Sequence, residues 1–253
     1  MTYLLIHGGG STARFWDRFV PMLDGPVLAV NLPGRADRPA DLASLTVEDE
    51  VESVLADVEA AEIDDPIVVV AHSSGGLVVP GVVTALADQV GHVVLNAALV
   101  PPEGGRGLDC MKPAHRDGLI RGVEDAATRG ETITLPGPPS DPESFRHAYG
   151  GELLDDDALA FMVDPRRCVA DTVHHYFQPV RWSTVPPVAI TYIVTEQDRP
   201  VPTSMQEQMI GSLPDRPSPW QTEILRIPGG HVPAVTRPAE LAELVIGAVS
   251  LRR

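Results

Sequence analysis

Cysteine, lysine and aromatic side chains are scarce in this chain, and each scarcity removes a class of protein. Two cysteines, Cys110 and Cys168, in 253 residues cannot staple a disulfide scaffold. A soluble cytoplasmic protein with free thiols is the expected setting, with one bond between the two left open at this stage. Lysine occurs once, at Lys112, and the 19 basic residues face 35 acids for a net charge of -16. No basic run exists to neutralise a phosphate backbone or an anionic bilayer, so neither nucleic acid nor membrane is an expected partner. No apolar run approaches the roughly 20 residues of a membrane-spanning helix. Met1 to Ile6 lead straight into an apolar strand without a basic n-region or a small-residue cleavage site, so no secretion signal is expected. No fixed repeat is visible, which excludes a solenoid or propeller.

What is present is enough apolar sequence, 43%, to bury the core of one large domain. Tyr3 to Ile6, Val27 to Asn31, Ile67 to Ala71, Val93 to Ala97, Val188 to Val194 and Thr222 to Ile227 read as strands. Most are apolar at successive positions, the pattern of strands covered on both faces, which predicts a parallel sheet between layers of helices. Thr46 to Glu62 reads as an amphipathic helix, with Thr46 as N-cap and first-turn acids. Pro238 to Val249 repeats that pattern and ends at two terminal arginines. The expected fold is α/β, with a mostly parallel central sheet of about six strands flanked by helices. Residues 1–100 and 185–253 form its core, and residues 101–184 break the strand-helix rhythm and read as an inserted, mainly helical cap. Leu119 to Arg129 and Asp156 to Phe161 are helix-like pieces of that cap. Pro80-Gly81 falls where a helix should follow the third strand, predicting a kink near Gly76 to Pro80.

Four segments carry chemistry. Ile67 to Ala71 runs into His72-Ser73-Ser74-Gly75-Gly76, the strand-turn-helix context of a nucleophile elbow. Small residues two before and two after the serine are needed there, and Ala71 and Gly75 supply them. Ala71 makes the motif looser than G-x-S-x-G, and taken alone it is equally an ordinary Ser-Gly turn. His7-Gly8-Gly9-Gly10 follows the first strand. Glycines there let backbone amides point into a site, and the amides of Gly9 and Ser74 are assigned to an oxyanion hole. His7 is read as structural. Tyr192 to Asp198 delivers acids at a strand end, with Asp198 the first choice and Glu196 the reserve. Gly229-Gly230-His231 forms a Gly-rich turn before the last helix. The order Ser73, Asp198, His231 is that of a nucleophile, an orienting acid and a general base.

On these residues the chain resembles the α/β-hydrolase superfamily, in its methylesterase and hydroxynitrile-lyase branch with bacterial esterase relatives. The cues are Tyr3 with His7-Gly8, Asn31-Leu32-Pro33-Gly34, His72-Ser73, Trp182 to Pro187, and Gly230-His231 followed by Arg237-Pro238. The resemblance implies acyl-enzyme chemistry with no metal or organic cofactor, on a small-molecule ester, lactone or thioester. Lyases of that branch carry threonine after the first histidine and lysine after the catalytic one. This chain has Gly8 and Val232, which disfavours cyanogenic cleavage. A ligand-binding receptor on the same fold, or a non-hydrolytic carbon-carbon cleavage or cyclisation, stays open as an alternative. Gly10, His72, Tyr149, Phe161, Trp182 and Val232 are the expected pocket residues. His147, Met162, His174, His175, Tyr176 and Phe177 are further large side chains of the cap. Adjacent His174 and His175 lack carboxylates at ligand spacing, and no metal site is assigned.

Overall fold

A computed structural model describes residues 1–149 and 154–250. In chain order the elements are β1 (Thr2–Ile6), β2 (Val27–Ala29), α1 (Val47–Ala60), β3 (Ile67–His72), α2 (Val79–Leu86) and β4 (Val90–Asn96). There follow α3 (Pro113–Thr128), β5 (Thr134–Leu135), α4 (Pro142–Tyr149), α5 (Asp156–Met162) and β6 (Asp171–Thr172). The chain closes with β7 (Ala189–Thr195), α6 (Thr203–Ile210), β8 (Glu223–Ile227), α7 (Pro233–Thr236) and α8 (Pro238–Ser250). Six strands make one sheet in the order β2-β1-β3-β4-β7-β8, and every pairing in it is parallel. This is the α/β sandwich that the doubly apolar strands imply.

Alternation along each strand builds two cores. Leu4, Ile6, Val69, Ala71, Val93 and Leu95 face one layer with Val54 and Val58 of α1 and Val82 and Val83 of α2. Tyr3, Leu5, Val68, Val70 and Val94 face the other, against Trp16, Phe19 and the Leu241, Val245 and Val249 stripe of α8. Thr46 caps α1 as expected: its hydroxyl accepts from the Asp49 amide at 3.0 Å, and its own amide donates to Asp49 Oδ2 at 2.8 Å. Between β4 and β7 stand α3 to α5 and the two-stranded antiparallel β5-β6 ladder. Phe145, Leu159 and Met162 of that segment join the second core.

The chain leaves β1 toward the sheet edge at β2 and returns to β3 on the opposite side of β1. The loops after β1 and β3 therefore part in opposite directions, and a crevice opens over the carboxyl ends of those strands. Pro80 does not kink a continuous helix. Ser73 to Leu77 wind as a 3-10 turn, the Val82 amide bonds to Val78 O at 3.2 Å, and Pro80 stands in the first turn of α2. No intrahelical donor is lost there. The expected interruption is a change of winding at Val78. Arg252 and Arg253 lie outside the described residues.

Gly76 lets the turn pack against the strand-end loop after β4. A Cβ on it would stand 2.5 Å from Leu99 O and 2.9 Å from Leu99 N, both backbone atoms that cannot swing aside. Gly76→Ala should lower unfolding free energy by about 1–3 kcal/mol, read as a lower urea midpoint with unchanged slope.

Candidate active site

The turn after β3 holds its serine in a conformation that L-residues rarely adopt. Ser73 has φ +51°, a strained setting that persists only where surrounding structure enforces it. Gly75 is pressed on the end of β1, where a Cβ would lie 2.6 Å from His7 O, and a Cβ on Gly8 would lie 2.8 Å from Ser73 Cβ. Glycine at these positions lets the two loops touch and lifts the Ser73 hydroxyl into the crevice.

Three chain segments converge on that hydroxyl. His231 Nε2 is 3.0 Å from Ser73 Oγ, and His231 Nδ1 is 2.7 Å from Asp198 Oδ2. With Nδ1–H donating to the carboxylate, Nε2 is free to accept the serine proton. Asp198 is itself fixed: Oδ2 accepts from the Thr195 hydroxyl and Oδ1 from the Val201 amide, each at 2.7 Å. The Gln206 side chain of α6 accepts from the Thr195 amide at 3.0 Å and donates to Val201 O at 2.8 Å, clamping that loop. Burial pushes the Asp198 carboxyl upward, but the His231 charge and hydrogen bond, with the Val201 and Thr195 donors, outweigh it and hold the pKa below the ordinary value. The group stays a carboxylate.

His231 is held from its backbone as well. His72 Nε2–H donates to His231 O at 2.8 Å, and its ring stacks on Phe15 with centroids 4.7 Å apart. His72 Nδ1 has no partner, which suits a neutral ring. Burial first, then the neighbouring His231, lowers the His72 pKa to about 3. His7, beneath the glycine loop, accepts from the Leu32 amide at Nε2 at 3.2 Å and lies against Gly8 O through Nδ1 at 2.8 Å. Burial and Arg35 lower its pKa to about 4.

The Gly8 to Gly10 loop is anchored from the opposite side by a buried ionic cluster. Asp171 of β6 accepts from the Gly10 amide at 2.7 Å through Oδ2, while Oδ1 meets Arg35 and the Thr172 amide. Arg35 bonds Glu50 of α1 at 2.8 Å, and Glu50 pairs with His175 Nδ1 at 3.1 Å. Arg35 and Glu50 side chains are wholly inaccessible to solvent. Burial opposes charge on both His175 and Glu50, yet their attraction prevails, raising the imidazole pKa and lowering the carboxyl pKa. Above Ser73 opens a cavity of about 560 Å³, with Gly9, Phe15, Pro138, Tyr149, Met162 and His231 on its walls. A Cβ on Gly9 would meet Ser74 Oγ at 3.1 Å, so the two loops expected to supply amides are in contact.

A model of the alpha/beta hydrolase family matches residues 3–244. The chain belongs to that family. This hydrolase is 27% identical over 248 residues to Lipase LipV of Mycobacterium tuberculosis, covering 96% of this chain and 90% of that one. It is 25% identical over 264 residues to Methylesterase 7 of Arabidopsis thaliana, covering 96% and 94%, which fits the methylesterase-like resemblance. Among solved structures, an extracellular alpha/beta-hydrolase from a Paenibacillus species superposes with a TM-score of 0.79 at 19% identity, covering 98% of each chain. That likeness speaks to the fold.

Of the residues singled out in the hydrolase sequence, Ser73, Asp198 and His231 meet within hydrogen-bond distance. Glu196, the reserve acid, is exposed. Gly10, His72, Tyr149 and Val232 line the cavity, as do Met162 and Tyr176. Two expected pocket residues do not. Trp182 is fully buried in the first core, its amide bonded to Glu103 at 3.0 Å. Phe161 takes the Arg167 and Arg18 guanidinium groups against its ring at 3.7 and 4.5 Å. One residue along a helix turns a side chain by about 100°, so Met162 enters the cavity and Phe161 leaves it. His175 serves the ionic cluster. Arg35, Glu50 and Asp171 escaped the sequence reading because no spacing links residues from three separate elements.

The lowered histidines make stability depend on pH. Between about 6.5 and the folded values, the unfolded chain binds protons at His7 and His72 that the native chain does not, so the contribution of these two groups to stability is full above 6.5 and falls as pH drops toward 4, while His175, with its raised pKa, contributes in the opposite sense. His72→Gln should flatten the slope of unfolding free energy over that window, measured by urea titration at pH steps. An unchanged slope would rule out a neutral, buried His72.

Proposed function

We propose that this protein is a serine hydrolase of carboxylic esters, thioesters or lactones acting through Ser73, His231 and Asp198. The observation that carries the reading is the unbroken hydrogen-bonded line from Ser73 Oγ through His231 to Asp198, at 3.0 and 2.7 Å. Relatives named lipase and methylesterase support ester hydrolysis as the chemistry. Residues 101–184 serve as the cap that closes the site.

In this mechanism His231 Nε2 takes the Ser73 proton as Oγ attacks the carbonyl carbon. The carbonyl π pair moves to oxygen, and that charge is received by the amides of Gly9 and Ser74. Donors placed where charge develops are typically worth about 3–4 kcal/mol each. Collapse breaks the bond to the alcohol, which leaves with the proton from imidazolium. Water, deprotonated by His231, attacks the acyl-enzyme in the same way and releases the acid. Asp198 holds the imidazole tautomer and stabilises its transient positive charge.

Ser73→Ala should abolish turnover of p-nitrophenyl esters and labelling by a fluorophosphonate while leaving thermal stability within about 1 kcal/mol of native. Asp198→Asn should lower kcat roughly ten-thousand-fold. Turnover surviving Ser73→Ala would remove the nucleophile from the scheme.

A further inference from the structure

We infer that the acyl group of the substrate is a medium-length apolar one, seated in a second chamber that meets the larger cavity at Ser73. This rests on the serine-hydrolase reading and extends it to substrate class. The second chamber, about 260 Å³, shares Ser73, His115, Leu135, Tyr176 and Pro200 with the 560 Å³ cavity and extends from them to residues the larger cavity does not touch. Leu99, Cys110 and Val201, all buried, line its inner end, and Met111 and Leu119 its walls. No carboxylate faces it among the described residues, and Lys112 and His115 stand at its outer end, where His115 is exposed.

The position of His231 decides which half of the ester goes where. The leaving oxygen must take its proton from Nε2, and His231 lines the larger cavity and not the smaller one. The alcohol therefore points into the large cavity, beside Tyr149 and Val232, and the acyl chain is left the smaller chamber, beside Leu119. An apolar chamber gains from each methylene it takes out of water until it is full. An acetyl group would use little of its 260 Å³, and a six-carbon chain would use much more of it. A methyl alcohol would use little of the 560 Å³ on the other side, so bulk on both sides of the ester is the matching substrate shape.

The test is a series of p-nitrophenyl esters with a constant alcohol and acyl groups from acetyl to hexanoyl. kcat/KM should rise at least about tenfold along it, since apolar pockets discriminate methylenes by about that factor or more. Leu119→Trp fills the chamber from a half-buried position on α3 and should compress the hexanoyl-to-acetyl ratio to within about threefold. Met111→Trp, from another wall, is the second variant if the first does not fold. A flat or falling series, or a ratio that survives both variants, would overturn the inference. Binding of p-nitrophenyl hexanoate to Ser73→Ala, with and without Leu119→Trp, reads the chamber apart from hydrolysis. A Leu119-dependent affinity there, with no Ser73 labelling in the native chain, would sink the hydrolase reading and leave the chamber standing. Affinity indifferent to Leu119 would sink the chamber.

Discussion

Two loops pressed together without side chains between them are the constraint on which this site depends. The serine turn can sit under the end of β1 only because Gly75 presents no Cβ to the Ile6 and His7 carbonyls and Gly8 presents none to Ser73. That contact holds Ser73 at φ +51°, a conformation an isolated turn would relax from. It also sets Gly9 against the Ser74 side chain, so the strain at Ser73 and the approach of the two loops are one packing event. The sheet supplies the rigidity. β1 and β3 are neighbours, paired from Thr2–Ile67 to Ile6–Ala71, and five parallel residue pairs leave little freedom where the two strands end.

His231 comes from far along the chain and is fixed at three points. Asp198 holds one ring nitrogen, Ser73 meets the other, and His72 ties the main chain at its carbonyl. His72, the residue before Ser73, thus joins the serine turn to His231, and its ring cannot take a proton without burying an unpaired charge. Gln206 and Thr195 do the corresponding work for Asp198. His231 and Asp198 are thus positioned by other buried polar groups, which is how such a geometry is kept.

The fold was legible in the sequence because strands covered on both faces announce themselves by unbroken apolar runs, as Ile67 to Ala71 does. Ser73, Asp198 and His231 could be singled out because they lie at strand ends in a fixed chain order, and the structure brings the three within hydrogen-bond distance. Asp198 and Glu196, two residues apart, part company in the structure: one faces His231 and the other faces solvent. Trp182 and Phe161 were misplaced for different reasons: Trp182 lies in an irregular segment with no period to say which way it points, and Phe161 lies on a helix too short for its apolar stripe to be told from the sequence. The ionic cluster was invisible because Arg35, Glu50, Asp171 and His175 come together only in three dimensions, and a charged residue in sequence reads as surface by default.

That cluster also answers an electrostatic difficulty. In a protein of net charge -16, a buried carboxylate bonded to the glycine loop would leave uncompensated negative charge beside Ser73 if the Asp171 charge stood alone. It does not: Arg35 lies against Asp171, and Glu50 lies between Arg35 and His175. With His175 protonated, as its raised pKa favours, two positive and two negative groups cancel within one buried patch. Asp171 can then hold the Gly10 amide without leaving net negative charge behind Gly9. Loss of any one member would strand a charge in a medium that cannot solvate it, so the alternation of sign is as necessary to the loop as its hydrogen bonds. The surplus of surface acids, screened by solvent and salt, acts on Ser73 far less than the buried groups near it, this cluster together with His231 and Asp198.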